Sequence, residues 1–283
     1  MRMTGARAVL AVVVLTLALP GAASAQQWDG EVLTLMGAAN DGLKAMWMDF
    51  RLESIEYYTI GQGRPSDRVH QQPFRWVPGD QRRGADGTRL TWALDESWGS
   101  ASGNGIPVGA LNAALRRATA TWAADSCLRN IDVTERKHPP ADVTVTDFLL
   151  GTGGLGDPFY ADVVHAGWMP GEPPLFENDI LALAATYIFV DRNTGEPTDV
   201  DGDGYMDVAL TEIYYNDSFP WAIDAGEGEI DVETVALHEV GHALSLGHFG
   251  LPPMAAMNPV YRGADRELHP IDHAGVCAVW QRN

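Results

Sequence analysis

The residues best suited to chemistry lie together near the C-terminal end of the 283-residue chain. His238 and His242 are four residues apart, and on a helix this spacing places both imidazoles on one side, where they can bind a divalent metal ion. Gly247 offers a place for the helix to end, so that His248 can turn back as a third ligand. Three nitrogen ligands with one open position are typical of a catalytic zinc. Glu239 directly follows the first histidine and can face a water on that metal.

The third histidine is what makes this zinc prediction specific. A His-Glu-x-x-His pattern alone occurs by chance in many long chains, whereas His248 at this spacing makes the signal much stronger. The alternative is that these are surface histidines on an ordinary helix, with Glu239 a solvated charge. A bound zinc would lower the pKa of its water to roughly 7. Glu239 suits the role of general base, because an ionised carboxylate only accepts hydrogen bonds.

A second group of carboxylates lies in residues 199–207, where aspartates alternate with other residues and Gly204 stands at the sixth position. This pattern matches the first half of a calcium-binding loop. Leu210 occupies the position of the usual bidentate glutamate, so Asp207 or Glu212 would have to replace it. The alternative is a solvated acidic turn. The predicted ligands of a structural Ca²⁺, which would stiffen the segment before the metal helix, are Asp199, Asp201, Asp203 and Asp207.

The N-terminal residues have the composition of a secretory signal peptide. Arg2 and Arg7 precede an apolar run at 8–19, and small residues at 23–25 predict cleavage before Gln26. The run is too short for a transmembrane helix, and no other stretch is long and apolar enough to be one. We therefore expect a secreted protein. The net charge of −19 argues against nucleic acid and membranes as partners.

Hydrophobic periodicity predicts the elements that must position the metal site. Apolar residues make up 46% of the chain, which is enough for a core. The order of elements predicts an α+β domain at 86–283, with its sheet packed on two long helices. The segment 26–85 is an N-terminal extension, either a propeptide or a strap across the domain. The predicted strands are 88–94, 131–134, 143–148, 162–168 and 184–191, and the predicted helices are 32–51, 107–127, 230–246 and 270–281.

The chain has two cysteines, Cys127 and Cys277. In an exported protein, two cysteines can join in one disulfide, here between an early helix and the last one. The alternative is a pair of free thiols.

Downstream of the third histidine, the chain resembles the metzincin zinc peptidases, and most closely their matrixin branch. The matrixin turn typically reads Ala-x-Met-x-Pro-x-Tyr, and Ala255, Met257, Pro259 and Tyr261 match it in order. The resemblance implies that Met257 underlies the zinc ligands without being one, and that Tyr261 lines the pocket beside them. Met254 is the alternative methionine, but only Met257 has the proline and tyrosine in register.

This resemblance spans roughly 88–281 and is densest at 231–261. It implies a metzincin (zincin-like) fold, in which a twisted mixed β-sheet packs on two long helices and a C-terminal helix follows the Met-turn. It also implies a substrate-binding edge strand, to which an extended polypeptide would add by backbone pairing. The residues that resemble this strand are Val163, Val164, His165 and Ala166.

The chain departs from the family pattern at three places. Ser245 stands where the family usually has glycine, and a left-handed conformation there would cost roughly 1–2 kcal/mol unless Gly247 takes over the turn. His165 matches a ligand of a second, structural zinc, but 149–157 contains no partner for it, so one zinc is predicted. The segment 26–85 has no cysteine, so a cysteine on the zinc cannot keep this chain latent.

Together, the motif and the resemblance predict a secreted, monomeric zinc endopeptidase acting on polypeptides. Glu239 would take a proton from a zinc-activated water that attacks the peptide bond. Two alternatives stay open. One is a catalytically silent extracellular binding module stabilised by zinc and calcium, although the retained Glu239 argues against it. The other is a zinc hydrolase acting on a small non-peptide amide.

Overall fold

A computed structural model of the chain describes residues 9–14, 58–59, 70–71, 74–83, 90–94, 105–128, 133–137, 161–169, 181–189, 191, 194, 196–250 and 252–280. The helix predicted at 32–51, the strand predicted at 143–148 and the predicted cleavage site lie outside these ranges. Within them, the architecture is α+β, as predicted. No helix among the described residues is long and apolar enough to cross a membrane.

One mixed sheet forms the body of the described chain. Its path runs β1 (Val9–Val14), β8 (Ala182–Phe189), β9 (Met206–Asn216), β7 (Val163–Met169), β5 (Leu90–Leu94) and β6 (Val133–Lys137), and β4 (Phe74–Arg75) also pairs with β9. Strand β8 is antiparallel to both of its neighbours, and the other pairs are parallel. Two short pairs lie apart from it: β2 (Tyr58–Thr59) with β3 (His70–Gln71), and β10 (Trp221–Ala222) with β11 (Ile230–Asp231).

Among the described residues, three helices accompany the sheet: α1 (Val108–Ala123), α2 (Val232–Ala243) and α3 (Pro270–Trp280), with a short 3₁₀ turn at Ser126–Leu128. Helix α1 forms where the sequence predicts it, directly after Pro107. Leu111, Leu115, Ala118 and Trp122 are fully or almost fully buried, because they share one face of the helix.

Strand β9 is the element that the sequence analysis misses. It runs from Met206 to Asn216, where the prediction has only the end of an acid-rich loop. All of its residues after Met206 are buried, so both faces are covered and the strand lacks the alternation that identifies a half-exposed strand.

The prediction that residues 163–166 form a substrate-binding edge strand is wrong. Val163, Val164, His165 and Ala166 lie in β7, which pairs with β5 on one side and β9 on the other. Its backbone groups already bond to these neighbours, so no substrate strand can be added there.

The metal-site helix α2 is held by side chains from distant parts of the chain. Its first turn is capped by Asp231, whose carboxylate accepts a bond of 2.8 Å from the Thr234 amide. Three indole groups donate to carbonyls of α2 and of the residue after it. Trp122 donates to the Leu237 carbonyl at 2.7 Å. Trp76 donates to the Ala243 carbonyl at 2.7 Å, and Trp280 donates to the Leu244 carbonyl at 3.0 Å. The last two satisfy carbonyls that a helix end otherwise leaves unpaired.

The segment 74–83 packs against β9 and the end of the metal-site helix. The side chains of Phe74 and Trp76 are buried in the core. Arg82 forms an ion pair of 2.6 Å with the fully buried carboxylate of Asp207 on β9.

The structure joins Cys127 and Cys277 in a disulfide, with their Cα atoms 5.0 Å apart. The bond ties the 3₁₀ turn after α1 to α3. Because it closes a loop of 150 residues, it stabilises the fold by about 5 kcal/mol through the lost entropy of the unfolded chain.

Candidate metal centre

The three predicted metal ligands converge at the C-terminal end of α2. The Nε2 atom of His238 lies 3.1 Å from that of His242 and 3.2 Å from that of His248. Two of the three come from successive turns of α2, and the third returns after the helix ends. The local spacing in the sequence is therefore sufficient to predict this cluster.

The outer nitrogens of the two helical histidines are held by backbone carbonyls. His238 Nδ1 lies 2.7 Å from the Ala256 carbonyl, and His242 Nδ1 lies 2.8 Å from the Leu246 carbonyl. A carbonyl only accepts, so each Nδ1 carries the hydrogen and each Nε2 presents a lone pair.

This donor set fits a zinc ion. Two Nε2 lone pairs cannot hydrogen-bond to each other, so their close approach is the arrangement that a shared metal ion would stabilise. Tetrahedral Zn–N bonds of 2.0–2.1 Å place neighbouring nitrogens about 3.3–3.4 Å apart, close to the spacing in this cluster. Burial lowers the pKa of His238 to about 4, and burial together with His238 lowers the pKa of His242 well below its usual value. Both imidazoles are therefore neutral at pH 7, as metal ligands must be.

Glu239 lies at the wall of a cavity beside the three histidines. Its side chain is buried at 3% exposure. The cavity measures about 190 Å³, and Ala182 at the start of β8 also lines it, together with residues of the segment 254–265. The side chain of Glu239 thus lines the same cavity as the predicted metal ligand His238 and Ala182 at the start of β8.

The turn that carries Met257 packs against the metal-site helix at Gly241. Met257 is fully buried, whereas Met254 is 44% exposed. A Cβ atom added to Gly241 would lie 2.2 Å from Met257 Sδ and 2.9 Å from Trp122 Cζ2. Gly241 is therefore required for the turn to approach the helix this closely, a role that the sequence analysis did not assign.

Asp272 on α3 fixes the same turn. Its carboxylate accepts bonds from the amides of Ala256 at 2.8 Å and Met257 at 3.1 Å. The Ala256 carbonyl and the Met257 amide belong to one peptide unit, and that carbonyl orients His238. Asp272 therefore helps to hold the metal ligand in place by fixing this peptide unit. No role for Asp272 follows from the sequence alone.

Tyr261 links the cavity to the start of α2. Its hydroxyl accepts a bond of 2.9 Å from the Asp231 amide, and its side chain lines the cavity together with Pro259. The tyrosine therefore lies beside the metal centre and stabilises the entry of the helix that carries two of its ligands.

Ser245 adopts the left-handed conformation, with φ of 70°, and Gly247 does not take over the turn. We expect Ser245→Gly to raise the free energy of unfolding by about 1 kcal/mol, because glycine adopts this conformation without the steric penalty. Chemical denaturation of the metal-free protein measures the change. Gly250→Ala, at an exposed position, serves as a control for general effects of exchanging glycine. If the stability of Ser245→Gly is unchanged or lowered, the left-handed conformation of Ser245 does not strain the backbone as we infer.

The structure brings together only three of the four predicted calcium ligands in the acidic loop at 199–207. Carboxylate oxygens of Asp199, Asp201 and Asp207 lie within 4.8 Å of one another, without Asp203. Asp203 instead faces Arg75 at 3.9 Å. Glu212 accepts from Tyr214 at 2.6 Å within the buried sheet, so it does not complete the loop.

Residues 186–281 match the Matrixin family model. Among curated proteins, the chain is 38% identical to mouse matrix metalloproteinase-19 over 73 residues, and 37% identical to the human protein of that name over 73 residues. Each match covers 25% of this chain and 14% of the relative. The chain therefore spans about one seventh of the length of the curated relatives that it matches.

Proposed function

We propose that this chain, a matrixin-like metzincin in sequence and fold, is a secreted zinc endopeptidase. One observation carries the proposal: the Nε2 atom of His238 lies within 3.2 Å of the Nε2 atoms of His242 and His248, beside a buried glutamate at the wall of a cavity. His238, His242 and His248 would hold the metal. When bound, zinc lowers the pKa of a coordinated water and polarises a neighbouring carbonyl.

Glu239 supplies the proton transfers in this proposal. Its carboxylate takes a proton from the water that attacks the peptide carbonyl, and then delivers that proton to the nitrogen of the departing amine. The bonds from His238 to Ala256 and from His242 to Leu246 support the reaction, because they keep both rings oriented throughout.

Strand β8 replaces β7 as the proposed substrate strand. Its partner away from β9 is β1, which lies inside the predicted signal peptide. Removal of this peptide would expose the outer edge of β8 to an extended polypeptide, which can add to it by backbone pairing. The position of Ala182 beside Glu239 in the same cavity supports this assignment, because it brings the bound chain to the general base.

The packing of segment 74–83 on the metal-site helix gives the proposal a clear experiment. We expect a protein of residues 74–283 to cleave an unfolded protein such as reduced, carboxymethylated lactalbumin when loaded with zinc. A protein of residues 86–283 should be less stable, because it loses the bond from Trp76 to Ala243 at the end of the metal helix. Mass spectrometry of the products and thermal melting of both proteins measure these outcomes. A folded, zinc-loaded 74–283 protein that cleaves no polypeptide would contradict the endopeptidase proposal.

We also propose that the acidic loop binds a structural Ca²⁺ through Asp199, Asp201 and Asp207. The short distances among their carboxylates support the site. With zinc present throughout, saturating calcium should raise the melting temperature by about 5–10 °C, the shift for ligand at about 100 times Kd.

Asp201→Asn should abolish this calcium response, because it removes one ligand charge, while the exposed Glu227→Gln should preserve it. The same calcium response in wild type and in Asp201→Asn would contradict the site.

A further inference from the structure

The disulfide between Cys127 and Cys277 lies in a cluster of side chains that are all common metal ligands. Asp125 and Cys127 belong to the turn that follows α1. His273 and Cys277 are four residues apart on α3, so they share one face of that helix. One ligand atom from each of these four residues lies within 4.8 Å of the other three. Two sulfurs and an imidazole at one place are a donor set that suits zinc.

Asp125 holds the imidazole of His273 in one orientation. Its Oδ1 accepts a bond of 2.8 Å from the Cys127 amide, and its Oδ2 lies 2.8 Å from His273 Nδ1. A carboxylate only accepts, so Nδ1 carries the hydrogen and the neutral ring has its lone pair at Nε2. The side chain of Asp125 is 6% exposed, so water competes little for these bonds. A carboxylate on the outer nitrogen of a histidine is the usual support of a zinc ligand.

The spacing within this cluster is that of zinc ligands. The Nε2 atom of His273 lies 3.5 Å from Cys277 Sγ. Tetrahedral zinc bonds of about 2.3 Å to sulfur and about 2.0–2.1 Å to nitrogen place two such atoms about 3.5 Å apart. Two thiolates on one zinc lie about 3.8 Å apart. The Cα atoms of Cys127 and Cys277 are 5.0 Å apart, so rotation about their Cα–Cβ bonds reaches this spacing once the sulfur–sulfur bond is broken.

We propose that the reduced chain binds a structural zinc through Cys127, Cys277 and His273, and that Asp125 positions the histidine. A dithiol reductant supplies two electrons and two protons: the sulfur–sulfur bond breaks, each cysteine becomes a thiol, and the reductant becomes a cyclic disulfide. Zinc then binds the two sulfurs as thiolates, and their two protons pass to water. The side chain of His273 is 50% exposed, so a water molecule can complete the four ligands.

A zinc at this place would replace the covalent link between α3 and the turn after α1. Asp272 on α3 directly precedes His273 and accepts bonds from the amides of Ala256 and Met257. The zinc would therefore hold in place the helix that fixes the Met257 turn, whether or not the disulfide is formed. This inference concerns a second site and does not depend on the proposed peptidase activity.

Cobalt is the probe of this site, because cobalt bound to thiolates has a charge-transfer band in the near ultraviolet, whereas cobalt bound to histidines has none. The full chain is reduced with a phosphine, which becomes the phosphine oxide and leaves no thiol to compete for the metal. We expect the band to appear in the reduced chain, to saturate at one thiolate-bound cobalt per chain, and to disappear when zinc displaces the cobalt. The oxidised chain should give no band, even with cobalt at the three histidines of the metal centre.

Variants of the cluster separate this site from nonspecific binding to two thiols. Asp125→Asn should weaken cobalt binding at the thiolates about 10–100-fold, as expected for the loss of a carboxylate that supports a metal ligand. His273→Ala removes the ligand itself and should weaken binding at least as much. His269→Ala is the matched control, because this histidine directly precedes α3 and pairs with Asp265 at 2.7 Å, outside the cluster. It should keep the affinity of wild type.

Circular dichroism shows whether the reduced chain is folded before metal is added. If it is unfolded, cobalt should refold it as the band appears. A reduced chain that gives no thiolate band would overturn the site, and so would equal cobalt affinity in His273→Ala and His269→Ala. The band requires no turnover, so a failure of this test leaves the proposed function standing, and an inactive protein that gives the band leaves the second site standing.

Discussion

Replacing Glu239 with glutamine is expected to lower kcat/KM for peptide hydrolysis by about 10³-fold, within the range of a lost general base. Glutamine has nearly the same shape but cannot take up the proton of the attacking water. His238 and His242 keep their lone pairs, because their orienting bonds run to the carbonyls of Ala256 and Leu246 and do not involve Glu239. Zinc should therefore stay bound at one equivalent, as measured by metal analysis beside steady-state kinetics.

The matched control for this variant is Glu233→Gln on the same helix. Glu233 is also buried, but it pairs with Arg117 at 2.7 Å near the start of α2, away from the histidines. Its exchange should change stability and leave kcat/KM nearly unchanged. Glu239→Gln with wild-type activity would show that another group is the base, and loss of its zinc would show that the carboxylate is a ligand.

Gly241→Ala is expected to weaken both the fold and the metal site. The added methyl group would overlap with Met257 Sδ and press on Trp122, so the Met-turn must move away from the helix. Overpacking of this kind costs roughly 1–3 kcal/mol, more than the gain in helix propensity of up to about 1 kcal/mol. The displaced turn also carries the Ala256 carbonyl that orients His238. We therefore expect zinc affinity to fall by about 10–100-fold.

Gly109→Ala is the control for the exchange of a helical glycine. A Cβ atom at Gly109 in α1 would meet nothing within 4 Å, so this variant should gain a little stability and bind zinc normally. Competition with a chelator measures the zinc affinity of both variants, and thermal melting measures their stability. Equal zinc affinity and stability in Gly241→Ala and wild type would contradict the close packing of Met257 on the helix.

The metal ligands could be predicted from the sequence because their geometry is local. The spacing of His238 and His242 is fixed by one helical turn, and His248 follows within a few residues. The position of Met257 depends on a short turn with its own sequence pattern. The conformation of Ser245 is also local, since it follows directly from the end of the helix.

The features that were missed depend on contacts between distant parts of the chain. A strand buried on both faces, such as β9, has no alternation to reveal it. Whether β7 or β8 lies nearer the edge depends on strand order, which local pattern does not encode. The roles of Asp272 and Trp76 follow from bonds to residues far away in sequence, so only the folded chain reveals them.

Titration of the metal-free protein of residues 74–283 with zinc, with hydrolysis of an unfolded protein as the readout, tests the central proposal most directly. We expect no activity without metal, a linear rise with added zinc, and a plateau at one equivalent per chain. Substitution of His248 by alanine should abolish this response. Activity that is independent of zinc, or one-equivalent binding at the three histidines without any cleavage of polypeptide, would contradict it.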